Sequence, residues 1–186
     1  MKVSNLPNAI CVLRMLLVVP ILWTLSAEKF TSTLLLFLVA GFSDGLDGFL
    51  AKQFDWRSEL GALLDPIADK LLLVATFLAV TLLGLIPVWL TACVIGRDLL
   101  IVSGALGYHY LVGPVQGAPS LASKLNTALQ ILFILLVVAR AAYGWPGEAV
   151  IIALGAGVFV TTVVSGIDYI WTWSRRAFLA SRERTA

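Results

Sequence analysis

Four aspartates stand close together in a chain that is otherwise largely apolar. Asp44 and Asp47 are three residues apart, Asp65 and Asp69 are four apart, and all lie within one 26-residue segment. Spacings of three and four put the carboxylates of each pair on one face of a helix. A charge near the centre of a membrane costs roughly 2.5–3.5 kcal/mol, so four bare carboxylates would cost on the order of 10 kcal/mol. A divalent cation is the direct compensation, and donors that are all oxygen select magnesium, calcium or manganese over zinc. Four carboxylates have oxygens enough for one or two such ions. A pair of ions can clamp the attacking and leaving oxygens of a phosphoryl displacement. Lys52 adds a cation suited to a diphosphate, and Gly48 and Ala51 leave small surfaces where a bulky ligand can approach. Ser58 offers a hydroxyl at the entrance, and Gly61 eases the start of the next helix. A purely structural ion-pair network is the weaker reading, because the segment has too few cations to neutralise four carboxylates.

The elements that must hold these residues follow from composition. The chain has 186 residues, of which 60% are hydrophobic and 13% charged. That balance excludes an ordinary soluble domain. It predicts an all-α, polytopic membrane protein with six transmembrane helices of about 20 residues each. The expected spans are 8–26, 31–52, 62–84, 87–111, 122–142 and 148–173, forming a single domain over residues 1–186. Arg14 interrupts the first apolar run, which therefore reads as a retained span and not as a cleaved signal. Gly84 to Pro87 is a tight turn, since proline cannot continue the preceding helix. Gly113 to Ser120 is rich in turn residues and has room for a re-entrant stretch. Cys11 and Cys93 sit in apolar runs and suggest packing, not a disulfide framework.

Basic residues set the orientation. With the N-terminus inside, the cytoplasmic segments carry Lys2, Lys52, Arg57, Lys124, Arg175, Arg176, Arg182 and Arg184, and the outer segments only Lys29 and Arg140. Both termini are then cytoplasmic, and the four aspartates lie at the cytoplasmic ends of the second and third spans. That is the compartment that supplies nucleotides and magnesium. The opening reads as a span without a presequence, so a bacterial plasma (inner) membrane is expected over a mitochondrial one.

The segment Asp44-Gly-Leu-Asp47-Gly48-Phe-Leu-Ala51-Lys52, eight residues, Gly61, Asp65, Asp69 resembles the signature of the CDP-alcohol phosphatidyltransferases. That signature reads D-x-x-D-G-x-x-A-R, eight residues, G-x-x-x-D-x-x-x-D. Each of its positions matches except one, where Lys52 replaces arginine. Lysine is a point charge and lacks the bidentate fork of arginine, so weaker nucleotide binding is expected. The resemblance implies a six-helix membrane enzyme, often a homodimer, that uses magnesium or manganese, two ions being the expectation. It implies transfer of a phosphatidyl group from CDP-diacylglycerol to an alcohol with release of CMP. Carried over position by position, Asp44, Asp47, Asp65 and Asp69 bind metal, and Asp69 is also the base that deprotonates the acceptor hydroxyl. Asn8, Gly48, Ala51, Lys52, Ser58 and Gly61 would contact CDP-diacylglycerol. No nucleic-acid partner is implied.

The acceptor alcohol is narrowed by other stretches. Asn5-Leu-Pro7-Asn8 with Arg14 and Pro20 resembles the branch holding phosphatidylglycerophosphate synthases and cardiolipin synthases. Gly84-Leu-Ile-Pro87 leading into Gly96-Arg97-Asp98, and Ser123-Lys124-Leu-Asn126-Thr127-Ala-Leu-Gln130, are similar to cardiolipin synthases of the eukaryotic type. Arg97, Lys124 and Arg14 are the expected acceptor-binding cations. A glycerol-3-phosphate dianion calls for more positive charge than a phosphodiester, and Leu99 to Gly107 carries none. Phosphatidylglycerol is therefore the expected acceptor and glycerol-3-phosphate the alternative. The glycines of that stretch, Gly104 and Gly107, suit either close helix packing or passage of an acyl chain. Asp168 is expected to pair with Arg14 or Arg97. A cation transporter built on the same carboxylates is the rival of another class, but the acids gather at one end of their spans and not along a path through the midplane.

Overall fold

In the computed structural model, the backbone is described for residues 6–54, 59–111 and 120–183, and side chains for residue 13 and for 15–43, 68–105 and 120–173. These residues form six helices: α1 Leu6–Ser26, α2 Phe30–Phe54, α3 Glu59–Leu82, α4 Val88–Leu111, α5 Leu121–Tyr143 and α6 Glu148–Glu183. A helix is the expected answer for an apolar run in lipid, because it satisfies its own backbone donors and acceptors. Among the described residues, Val88–Ala105, Leu121–Tyr143 and Glu148–Trp173 are long and apolar enough to cross a membrane. Shorter apolar helical stretches cover Met15–Ser26 and Phe30–Ser43.

The helices lie close to the expected spans, with two instructive differences. The third begins at Glu59, three residues before the apolar run. The sixth runs ten residues past Trp173, to Glu183. Residues 174–183 contain neither glycine nor proline and are mostly good helix formers, so nothing in the chain stops the helix where the apolar stretch ends. Hydropathy bounds the membrane-embedded part of a helix and not the helix itself. Of the turn-rich stretch Gly113 to Ser120, with room for a re-entrant segment, all but Ser120 lies outside the described residues.

The chain divides into two compact units. One comprises residues 1–86 with 134–147, and the other 87–133 with 148–186. In the first, α1 packs against both α2 and α3. Ile21, Leu25, Ala68, Phe77 and Val80 are fully buried there. A polar clasp joins α1 to α2: the Thr33 hydroxyl donates to Thr24 Oγ1 at 2.9 Å, and Thr24 donates back to the Pro20 carbonyl at 2.9 Å. Both threonines are buried, so the pairing matters, since an unmet buried hydroxyl costs about 1–3 kcal/mol.

Two helix ends of this unit close in the same way. At the end of α3, Leu85 N–H donates to the Val80 carbonyl and Gly84 N–H to that of Thr81, with Gly84 at φ 71°. At the end of α1, Lys29 N–H donates to Thr24 and Glu28 N–H to Leu25, with Glu28 at φ 55°. Both are Schellman closures, which favour glycine at the left-handed position. Glu28 therefore sits in a conformation that costs an L residue about 1–2 kcal/mol. Glu28→Gly is expected to stabilise the chain by about 1 kcal/mol, read as a higher unfolding midpoint in detergent. A lower midpoint would mean that Glu28 makes a contact worth more than the strain.

In the second unit α4 packs against α6. Trp89 meets Phe159 edge-on, with ring centroids 5.5 Å apart. Phe133 and Leu90 pack over Gly155, where a Cβ would lie 3.4 Å from the Phe133 ring and 3.7 Å from Leu90, in ordinary van der Waals contact. Tyr169 donates to the Ile101 carbonyl at 2.8 Å and lies over Gly104, where a Cβ would meet the ring at 3.0 Å. Of the two roles considered for Gly104, close packing is thus the one realised. The space left by its missing side chain is filled by Tyr169 and does not lie open to an acyl chain.

Candidate active site

The motif residues fall on two successive helices. Asp44, Asp47, Gly48, Ala51 and Lys52 lie in the C-terminal part of α2, and Gly61, Asp65 and Asp69 in the N-terminal half of α3. The helical spacing expected of each aspartate pair is therefore present: three residues on α2 and four on α3. Asp69 has a described side chain and is half-buried, one residue after the fully buried Ala68, which anchors this turn of α3 in the core. The side chains of Asp44, Asp47, Gly48, Ala51, Lys52, Gly61 and Asp65 lie outside the described residues, as does Ser58 altogether. Asn8 and Arg14 belong to α1, and their side chains too lie outside the described residues.

The second group of expected site residues lies in the other unit. Arg97, on α4, is buried at 6% exposure. Its guanidinium donates to Asp98 Oδ1 at 2.7 Å, to the Ser123 hydroxyl at 2.7 Å, and to the Ser165 hydroxyl. Arg97 thereby ties α4 to the start of α5 and to α6. Asp98, not Asp168, is the carboxylate that offsets its charge. Ser165 lies one helical turn before Asp168 on α6; Arg14, the other partner expected of Asp168, has its side chain outside the described residues. Lys124 is exposed in the first turn of α5, where its N–H donates to the Ser120 carbonyl at 3.1 Å. That turn is capped by Ser120, whose hydroxyl accepts from Ser123 N–H at 3.3 Å.

One turn further along α5, Asn126 is fully buried, and the Thr161 and Thr162 hydroxyls each lie 2.9 Å from its Oδ1. Asn126 is thus an inter-helix hydrogen bonder. Ser165 and Thr162 carry much of this polar seam and were not singled out from the sequence. The signal was there: hydroxyl residues at 161, 162 and 165 recur at helical spacing within an apolar run.

The profile of the CDP-alcohol phosphatidyltransferase family matches residues 4–167. The chain belongs to this family. Among its relatives, the human cardiolipin synthase (CMP-forming) is 29% identical over 181 residues, covering 89% of this chain and 60% of the human protein. The Streptomyces coelicolor cardiolipin synthase (CMP-forming) is 34% identical over 116 residues, covering 58% of this chain and 54% of that protein. A Mycobacterium tuberculosis protein named "Probable phosphatidylglycerophosphate synthase" is 30% identical over 176 residues, covering 91% of this chain and 81% of that protein. The chain therefore spans about three fifths of the human relative's length.

Membership in the family agrees with the donor set on α2 and α3. A set of carboxylates on two helix ends suits a hard divalent cation and offers no nitrogen or sulfur to a softer one.

Proposed function

We propose that the chain is a multi-pass membrane phosphatidyltransferase that moves a phosphatidyl group from CDP-diacylglycerol to phosphatidylglycerol, giving cardiolipin and CMP. The observation that supports this reading is the eight-position aspartate motif, carried on the successive helices α2 and α3. Asp44, Asp47, Asp65 and Asp69 would hold magnesium or manganese, and a bound cation would supply charge stabilisation to the diphosphate. Asp69 takes the proton of the acceptor hydroxyl. The freed oxygen then bonds to the phosphatidyl phosphorus, the bond from that phosphorus to the CMP oxygen breaks, and CMP leaves. Lys52, with Asn8 and Ser58, binds and orients the CDP group. Six spans, cytoplasmic termini, a bacterial plasma membrane and a homodimer belong to the same proposal.

For the acceptor, two relatives named cardiolipin synthase support phosphatidylglycerol. So does the charge of the second unit. Its cations with described side chains are Arg97 and Lys124, and Arg97 is already offset by Asp98. That leaves little for a dianion. The Mycobacterium relative supports the second reading, with glycerol-3-phosphate as acceptor. The deciding experiment is CMP release by the purified chain with CDP-diacylglycerol and magnesium or manganese, supplied with phosphatidylglycerol, glycerol-3-phosphate, or neither. Release that depends on phosphatidylglycerol, with cardiolipin formed, is the expected result. Release only with glycerol-3-phosphate overturns the acceptor, and release with neither overturns the reaction.

The departure at Lys52 gives a separate prediction. Lys52→Arg restores a bidentate donor for the diphosphate and is expected to lower KM for CDP-diacylglycerol by about tenfold, the equivalent of about 1.4 kcal/mol. An unchanged KM would remove Lys52 from the nucleotide contacts.

A further inference from the structure

Four buried polar atoms in the second unit have no hydrogen-bond partner among the described residues: Arg97 Nε, Asn126 Nδ2, and both Gln130 Nε2 and Oε1. Gln130 and Asn126 are each fully buried. They lie four residues apart on α5 and so share a face. The contacts on that face define an antiparallel register with α6: Ser123 and Ser165 meet at Arg97, Asn126 meets Thr162, and Phe133 meets Gly155. Gln130 falls between the last two and therefore opposite Val158, which is apolar and fully buried. The residue directly across from its amide on α6 is therefore apolar. Side chains on a helix lean toward its N-terminus, which inclines the Gln130 amide toward Asn126.

An unmet buried amide is strongly unfavourable, and native interiors resolve it with a bound polar group. The atoms to be met are a mixed set: Asn126 Nδ2 and Gln130 Nε2 donate, and Gln130 Oε1 accepts. An anion would face the carbonyl oxygen, and a cation would face the two amide nitrogens. Only a neutral group that both donates and accepts suits all three. We propose that Asn126 and Gln130 form an internal site for a hydroxylic ligand, one turn and more beyond the Arg97 anchor, between α5 and α6. Water and the alcohol of a glycerol headgroup offer the same chemistry. The water reading is independent of any reaction, whereas the headgroup reading rests on the proposed acceptor.

Radiolytic footprinting of the full purified chain tests this, because a buried side chain is oxidised only where bound water lies within reach. Phe133 is the reporter, at 2% exposure and three residues from Gln130. In detergent without phospholipid, Phe133 oxidation is expected in the wild type and should fall several-fold in Gln130→Met. Gln130→Leu serves if the first variant does not fold, and the unfolding midpoint confirms folding in either. The second arm adds phosphatidylglycerol or phosphatidylmethanol, whose headgroup has no hydroxyl. Protection of Phe133 by phosphatidylglycerol alone identifies the headgroup as the ligand. Oxidation unaffected by either lipid identifies water. Phe133 oxidation in the wild type no greater than in Gln130→Met, with no difference between the two lipids, overturns the site whatever the acceptor of the reaction proves to be.

Discussion

Asp69→Asn is expected to lower kcat for CMP release by about 10²–10⁴-fold, the usual contribution of a positioned general base. Asparagine keeps the size and most of the hydrogen-bonding geometry of aspartate but cannot accept a proton at neutral pH. Asp69 lies next to the fully buried Ala68, so this turn of α3 is held by the core and the substitution should leave the helix in place. CDP-diacylglycerol should still bind, which a radiolabelled substrate can measure directly on the variant. The combination of retained binding and lost turnover is what distinguishes a base from a residue needed only for folding. A variant within fivefold of the wild-type kcat would move the base elsewhere among the four carboxylates. A cation transporter, by contrast, would show altered ion flux and no CMP chemistry in either form.

The aspartate motif and the helices that carry it were legible because that information is local. The aspartate spacings, Gly48 and Gly61 all lie within 26 residues, and helical periodicity turns those spacings directly into faces. The helices were legible for the same reason, since apolar runs bounded by Gly84-Leu-Ile-Pro87 and Tyr143-Gly-Trp-Pro146 leave few choices. Pairings between helices were not. Arg97 reads either as an acceptor-binding cation or as the partner of Asp98 or a span carboxylate; Asp98 is its partner, and what the sequence does not reveal is the two serines, 26 and 68 residues further along the chain. A serine in an apolar span carries no sequence mark that tells a capping hydroxyl from a guanidinium ligand. The register between α5 and α6 makes that distinction. Gly104 teaches the same lesson: small size signals close approach, but only the fold says that Tyr169 is what approaches.

Arg97→Ala should destabilise the chain by about 3–5 kcal/mol, the cost of stripping one partner from a buried ion pair. The Asp98 side chain is 11% exposed and would be left with its charge uncompensated by Arg97, while Ser123 and Ser165 would lose the guanidinium that joins them. Replacing both members of the pair, as in Arg97→Met with Asp98→Leu, should recover much of the loss, because two apolar groups leave no buried charge behind. Lys124 provides the contrast. It is exposed and forms no salt bridge among the described residues, so Lys124→Ala should change stability by less than about 0.5 kcal/mol. Unfolding midpoints in detergent for the four proteins check both expectations. If Arg97→Ala keeps the wild-type midpoint, the pair is not an anchor, and the guanidinium is free to turn toward an acceptor phosphate. If it loses stability while Arg97→Met/Asp98→Leu regains it yet remains inactive, Arg97 serves both roles: the fold survives without its charge, and the reaction does not.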